Sequence, residues 1–143
     1  MTTRAAIVGE ALTWLGTRYH HRARCKGAGV DCAQILIGIY SACGLVKPFE
    51  TDAYPRDWML HRTEDRFRDY VRQYADQIPL EEVQPGDVAL YLVGHCYAHG
   101  AVIIAWPKLL HADSRYGAVT LAEGDQGWLA GRPVEFYRLK GIA

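Results

Sequence analysis

The first residue of this chain equipped for chemistry is a cysteine set where a glycine-bearing loop becomes an apolar helix. Gly29-Val30-Asp31-Cys32-Ala33-Gln34-Ile35-Leu36-Ile37 puts Cys32 at that junction. A thiol there lies near the unpaired N–H groups of a helix start and the positive end of the helix dipole, and both favour the thiolate. The charge of Asp31 opposes ionisation, and its place fits an N-cap or a loop clamp. Two histidines follow much later. His99 stands in Tyr97-Ala98-His99-Gly100-Ala101-Val102-Ile103-Ile104 and His111 in Leu109-Leu110-His111-Ala112-Asp113. Both stretches read as strands, joined by a turn at Trp106-Pro107-Lys108, and antiparallel neighbours can hold two rings side by side on one face. The expected relay is Cys32 as nucleophile, His99 as acceptor of its proton and His111 holding the His99 ring in the useful tautomer. Such a thiol mechanism needs no metal and no cofactor.

These residues need rigid mounts. Ala5, Val8, Leu12 and Leu15 recur at helical spacing before Gly16, which predicts a first helix. Thr17 to Val30 is expected to be a loop, dense in Arg18, His20, His21, Arg22, Arg24 and Lys26, a solvated basic face. Asp31 to Cys43 predicts a second helix, apolar nearly all round and therefore buried on most sides, with Gly44 past its end. Helical periodicity returns from Asp57 to Gln77 and stops at Pro79. Pro85-Gly86-Asp87 is a turn. After it, strands are expected at Val88 to Val93, His99 to Ala105, Leu109 to Ala112, Ala118 to Ala122 and Val134 to Leu139, with a helical turn at Asp125 to Leu129. Helices first and strands afterwards predict an α+β fold with an antiparallel sheet of about five strands.

The 143 residues suit one domain, residues 1–143, with its body between about Thr3 and Leu139. Half the residues are apolar, and 16 basic side chains balance 16 acidic ones. That balance gives no footprint for nucleic acid or an anionic membrane surface. No window reaches the length of a membrane span, and the opening Met1-Thr2-Thr3-Arg4-Ala5-Ala6, broken soon after by Glu10, does not read as a signal peptide. Synthesis in the cytoplasm is the expectation, with Cys25, Cys32, Cys43 and Cys96 kept as thiols. Cys96 and His99, with His20, His21 and Cys25, lack the tight paired spacing of a zinc site, so no metal is expected. Trp128, beside Gly127, reads as an open residue suited to a partner contact.

The chain resembles the NlpC/P60 cysteine peptidases of the papain-like fold group. Ala11-Leu12-Thr13-Trp14-Leu15-Gly16-Thr17-Arg18-Tyr19 is similar to the family's lead-in, Asp31-Cys32 to its nucleophile motif and Pro85-Gly86-Asp87 to its turn. His99-Gly100-Ala101-Val102 is similar to its base motif and His111-Ala112 to its third member. The resemblance implies catalytic Cys32, His99 and His111, an oxyanion donor in the backbone N–H of Cys32, and Tyr19 near the thiol as a substrate-binding residue. Asp31 and Gln34 are expected at the substrate-binding side. Gln34 stands where the family has glycine, putting a long polar side chain within a turn of the thiol. The resemblance implies hydrolysis of peptide bonds in bacterial cell-wall peptidoglycan, with stem peptides as substrate. An insertion at about 52–77 resembles the version in bacteriophage tail proteins. This implies a virion-tail component that opens the wall locally during DNA delivery, among other tail-tip proteins. The alternative expectation is a structural tail-tip or tail-assembly protein with little or no hydrolysis.

Overall fold

The computed structural model describes residues 2–48 and 66–143. Helix α1 spans Arg4–Leu12, and a two-residue hairpin follows, β1 (Arg24–Cys25) with β2 (Gly29–Val30). Helix α2 spans Gln34–Ala42 and helix α3 Arg66–Tyr74. The remaining strands are β3 (Ala75–Ile78), β4 (Val88–Val93), β5 (Cys96–Ala105), β6 (Lys108–Asp113), β7 (Ala118–Glu123) and β8 (Val134–Leu139). They form one six-stranded sheet in the order β3-β8-β4-β5-β6-β7, antiparallel throughout. The α+β expectation holds, with a sixth strand added.

Alternation along the strands splits the core into two layers. Val88, Leu90, Val102, Leu110 and Tyr137 face the helices, where they meet Ile7, Trp14, Ile35, Ile39 and Phe67. Ala89, Tyr91, Ala101, Ile103, Leu109 and Phe136 face the other way and are covered by Leu129, Trp106 and Trp128. Each large apolar side chain fully buried this way is worth about 1.5–3 kcal/mol.

The first helix turns a different stripe inward from the expected one. Ile7, Ala11 and Trp14 are buried, while Leu12 and Leu15 are exposed. Both stripes satisfy the helical period, and tertiary fit decides between them. A Cβ on Gly38 of α2 would stand 2.6 Å from the Trp14 ring, so that glycine is the slot the indole fills. The third helix also ends earlier than its periodicity suggested. Ala75 to Gln77 belong to β3, paired with Leu139 to Tyr137 of β8. The part of the expected helix before Arg66, with Trp58 and Leu60, and the insertion from residue 52 to 65 lie outside the described residues.

One corner bolts these parts together. Asp87, fully buried, accepts hydrogen bonds from Arg4 (3.1 Å), from Arg138 Nε (3.2 Å) and its terminal nitrogen (3.0 Å), and from the Gln84 backbone N–H (2.9 Å). The Tyr40 hydroxyl donates to Gly86 O at 2.8 Å. Here α1, α2 and β8 are tied to the start of β4, which fixes the central strands relative to the helix that carries the thiol.

Candidate functional site

The mount of Cys32 begins with Asp31. Its carboxylate accepts from the backbone N–H groups of Ala33 (3.1 Å) and Gln34 (2.8 Å) on one oxygen, and of Arg22 (2.8 Å) on the other. Asp31 therefore caps α2 and clamps the basic loop onto it. Arg22 is held at φ 65°, the left-handed region, as its N–H turns toward that carboxylate. Gln34 is buried, and its side-chain oxygen accepts from Arg24 at 3.1 Å, so the long side chain is engaged with the β1–β2 hairpin. Tyr19 is pinned by its N–H donating to Gly117 O at 2.8 Å, and Val119 N donates to Thr17 O at 2.8 Å, which ties the lead-in segment to the edge of β7.

Cys32 lies in the turn just before α2, half-buried. Its thiol donates to the carbonyl of Ala98 at 3.5 Å. The Gly100 N–H and the Tyr19 hydroxyl also address the sulfur. Ala98 and Gly100 flank His99, so the sulfur rests against the stretch of β5 that carries the imidazole. Two features of β5 make this possible. The β4–β5 register slips between Tyr91↔His99 and Leu92↔Tyr97, leaving Ala98 as a bulged residue. A bulge bends a strand and re-aims the neighbouring side chain. A Cβ at Gly100 would lie 2.7 Å from Leu36 and 2.9 Å from Phe67, so only glycine lets α2 and α3 approach the strand this closely.

The two histidines meet as the antiparallel expectation has it. His99 Nε2 and His111 Nδ1 are 2.7 Å apart with rings at 82°. Extending the β5–β6 register (Val102↔Leu110) sets His111 opposite Ala101 and diagonal to His99. His99 Nε2 is thus engaged by His111, while the Cys32 thiol donates to the Ala98 carbonyl beside His99 rather than to its ring.

The electrostatics depart from the sequence argument. Burial first, then the Asp31 carboxylate, push the Cys32 thiol up to about 12, against the hydrogen bonds from Tyr19, Gly100 and its own backbone. The helix-start donors expected to favour a thiolate are instead taken by Asp31 at Ala33 and Gln34. Burial, with His111, Arg115 and Arg132 adding to it, holds His99 well below its ordinary value of 6.5. Burial lowers His111 as well, with Asp113 opposing. The resting pair is thus a neutral thiol and a neutral imidazole.

Two residues of this cluster were not assigned to it by sequence reasoning. Asp113 faces the pair from two positions beyond His111, the same-face spacing of a strand, with its carboxylate 3.7 Å from His111 Nε2. Trp128, expected as an open partner contact, lies over both imidazoles, with centroids 4.8 Å from His99 and 6.2 Å from His111. The guanidinium of Arg115 covers its ring at 3.9 Å. Asp113 carried a period-two signal; Trp128 reaches the site from a 3₁₀ turn, Gly127–Leu129, within the helical turn expected at Asp125 to Leu129, and nothing in its spacing announces that contact. Cys25, Cys43 and Cys96 form no disulfide among the described residues. Among the described residues, no group of three or more His, Cys, Asp or Glu is placed to hold a metal ion, and no helix is long and apolar enough to cross a membrane.

No protein-family model and no curated protein matches the chain. Solved structures do match. The NlpC/p60 domain of the peptidoglycan hydrolase SagA is 18% identical, with a TM-score of 0.64 over 92% of this chain and 96% of that one. The peptidoglycan hydrolase RipB from Mycobacterium tuberculosis is also 18% identical, with a TM-score of 0.62 over 94% of this chain and 63% of that one. RipD from Mycobacterium tuberculosis, described as a non-catalytic NlpC/p60 domain protein adapted to peptidoglycan binding, is 13% identical, with a TM-score of 0.59 over 94% of this chain and 95% of that one. This chain has the NlpC/P60 fold, a fold found both in hydrolases and in a non-catalytic protein.

Proposed function

We propose that the chain is a cysteine peptidase that hydrolyses peptide bonds in bacterial peptidoglycan, with Cys32 as nucleophile, His99 as base and His111 as the residue that orients it. One observation carries the reading: the Cys32 sulfur is held by the Ala98 carbonyl and the Gly100 N–H on either side of His99, whose ring is bonded at 2.7 Å to His111. The thiol proton passes to His99 Nδ1 while sulfur attacks the peptide carbonyl carbon. The tetrahedral oxyanion is met by the Cys32 backbone N–H, with the Tyr19 hydroxyl nearby. Collapse breaks the C–N bond, the leaving amine takes the proton from His99, and a thioester remains. Water, deprotonated by His99, hydrolyses it to the acid and restores the thiol. Asp31 and Gln34 shape the substrate side by fixing the loop that borders the thiol. No cofactor enters. The stem peptides of peptidoglycan are the substrate. The setting we propose is a virion tail, made in the host cytoplasm and placed beside other tail-tip proteins, where the enzyme opens the wall for DNA delivery.

A second reading keeps the fold and discards the hydrolysis, leaving a structural or wall-binding tail component. The neutral thiol and the likeness to RipD favour it. Purified Gram-negative sacculi incubated with the chain and with Cys32→Ala separate the two. New peptide ends, identified by mass, are expected from the unmutated chain alone, with at least about a 10³-fold loss in the variant. Equal release from both, or none between pH 6 and 9, would favour the second reading.

A further inference from the structure

We infer that Asp113 is a positioning residue that selects the tautomer of His111 and thereby leaves His99 Nδ1 free to take the thiol proton. The inference deepens the hydrolase reading and rests on it for its catalytic meaning, although the tautomers can be observed without any turnover.

The bond between His99 Nε2 and His111 Nδ1 is 2.7 Å long and has two possible proton arrangements. In one, His111 donates, His99 Nε2 accepts, and the neutral His99 must carry its proton on Nδ1. That ring cannot act as a base toward the thiol. In the other, His99 Nε2–H donates to a bare His111 Nδ1, and His99 Nδ1 presents a lone pair. The choice is made at the far nitrogen. His111 Nε2 is buried and has no hydrogen-bond partner among the described residues, and the carboxylate oxygen Asp113 Oδ2 stands 3.7 Å from it. A bare nitrogen there would aim its lone pair at a carboxylate inside the protein. A protonated one aims its N–H dipole at the same carboxylate. The second is favoured, and it forces the productive arrangement along the whole relay.

Asp113 is itself held in place. Oδ1 accepts the Arg115 backbone N–H at 2.8 Å and Oδ2 the Trp128 indole N–H at 3.3 Å. The indole packs against both imidazoles. The 3.7 Å separation is longer than a hydrogen bond. The carboxylate therefore biases the ring without capturing it, and the dipole is free to strengthen when His99 takes up the proton.

The test is ¹⁵N NMR of the full chain labelled at histidine, near pH 7.5, with His99→Gln and His111→Gln used to assign the rings. Expected are pyridine-type Nδ1 and pyrrole-type Nε2 on both His99 and His111. In Asp113→Asn the two arrangements should mix. Alkylation of Cys32 by iodoacetamide should slow about 10-fold, and sacculus cleavage should fall roughly 10–100-fold in kcat with KM little changed. Asp113→Glu should recover part of each loss. A pyrrole-type His111 Nδ1 in the unmutated chain, or ring shifts untouched by Asp113→Asn, would overturn the inference. If the sacculus assay finds no hydrolysis while the tautomers are as stated, the functional reading falls and the positioning role of Asp113 stands. If hydrolysis is found with the opposite tautomers, the functional reading stands and the positioning role falls.

Discussion

Two buried aspartates lie at either end of the central strands and are served very differently. Asp87 stands beside Ile103, whose N–H donates to its carbonyl at 2.8 Å, and its carboxylate is saturated by two arginines and a backbone N–H. Asp113, level with His99 by the β5–β6 register, faces a histidine nitrogen that it does not reach. A buried polar atom without a partner costs about 1–3 kcal/mol, so the His111 corner sacrifices stability that the Asp87 corner does not. The scaffold is closed at the corner that ties the helices to the sheet and left incomplete at the corner where we propose that a proton moves.

Removing each carboxylate measures that contrast, and the largest effect is expected at Asp87. Asp87→Ala leaves Arg4 and Arg138 facing each other across an empty corner, and stability should drop by about 3–5 kcal/mol. Urea denaturation at pH 7.5 reads it, and the molecules that remain folded should cleave sacculi at the normal rate. Asp113→Asn should do the opposite, moving the urea midpoint by less than about 1 kcal/mol while slowing turnover. Equal stability losses at the two positions would abolish the distinction between corners.

Glycines draw the same line with smaller effects. In a helix interior, Gly→Ala ordinarily stabilises by about 1 kcal/mol. At Gly38 the new Cβ would meet the Trp14 ring at 2.6 Å and 2.8 Å, and that ring is buried and bulky. The sign should therefore reverse, to a loss of about 1–3 kcal/mol, with activity per folded molecule unchanged. At Gly100 the Cβ would meet Leu36 and Phe67 at 2.7 Å and 2.9 Å, and both are buried in the same core. Gly100→Ala should cost a similar amount of stability and, unlike Gly38→Ala, activity as well, because pushing α2 off β5 moves the sulfur from the Ala98 and Gly100 backbone. Equal activity per folded molecule in the two variants would mean that the close approach at Gly100 serves packing alone.

The parts of this arrangement that were legible in the sequence share a physical trait. Strands β4 and β8 have the bounds expected of them, and β5 to β7 nearly so, because buried strands are apolar runs between turns. The convergence of His99 and His111 followed from strand pairing alone. Where the sequence misleads, the deciding contact is distant. Ala75-Asp76-Gln77-Ile78 has little strand character, and β8 makes it a strand by pairing with it. The inward stripe of α1 depends on a slot at Gly38 in another helix. The neutral state of Cys32 turns first on its burial and then on the Asp31 carboxylate beside it. Burial is a matter of tertiary packing, which no local motif specifies.

The neutral pair gives the smallest effect, a stability plateau to which the site contributes on both sides. His99 is held below its ordinary 6.5. Above 6.5 both folded and unfolded chains carry it neutral, and stability is full. Below 6.5 the unfolded chain takes up a proton that the folded chain refuses, and stability falls as pH drops toward the folded value. Cys32 is raised from 9.0 to about 12. Below 9.0 both states hold the thiol, and above it the unfolded chain loses a proton that the folded chain keeps, so stability falls as pH rises through that window. Each limb should slope by at most about 1.4 kcal/mol per pH unit per group. Urea midpoints between pH 5 and 10.5 read the plateau. His99→Gln should shallow the acid limb, which the buried His111 shares, and Cys32→Ala the alkaline one, which Cys43 shares, each leaving the other limb in place. A chain that gains stability from pH 7 to 10 would instead hold a resting thiolate, and the proton transfer assigned to His99 would have no proton to move.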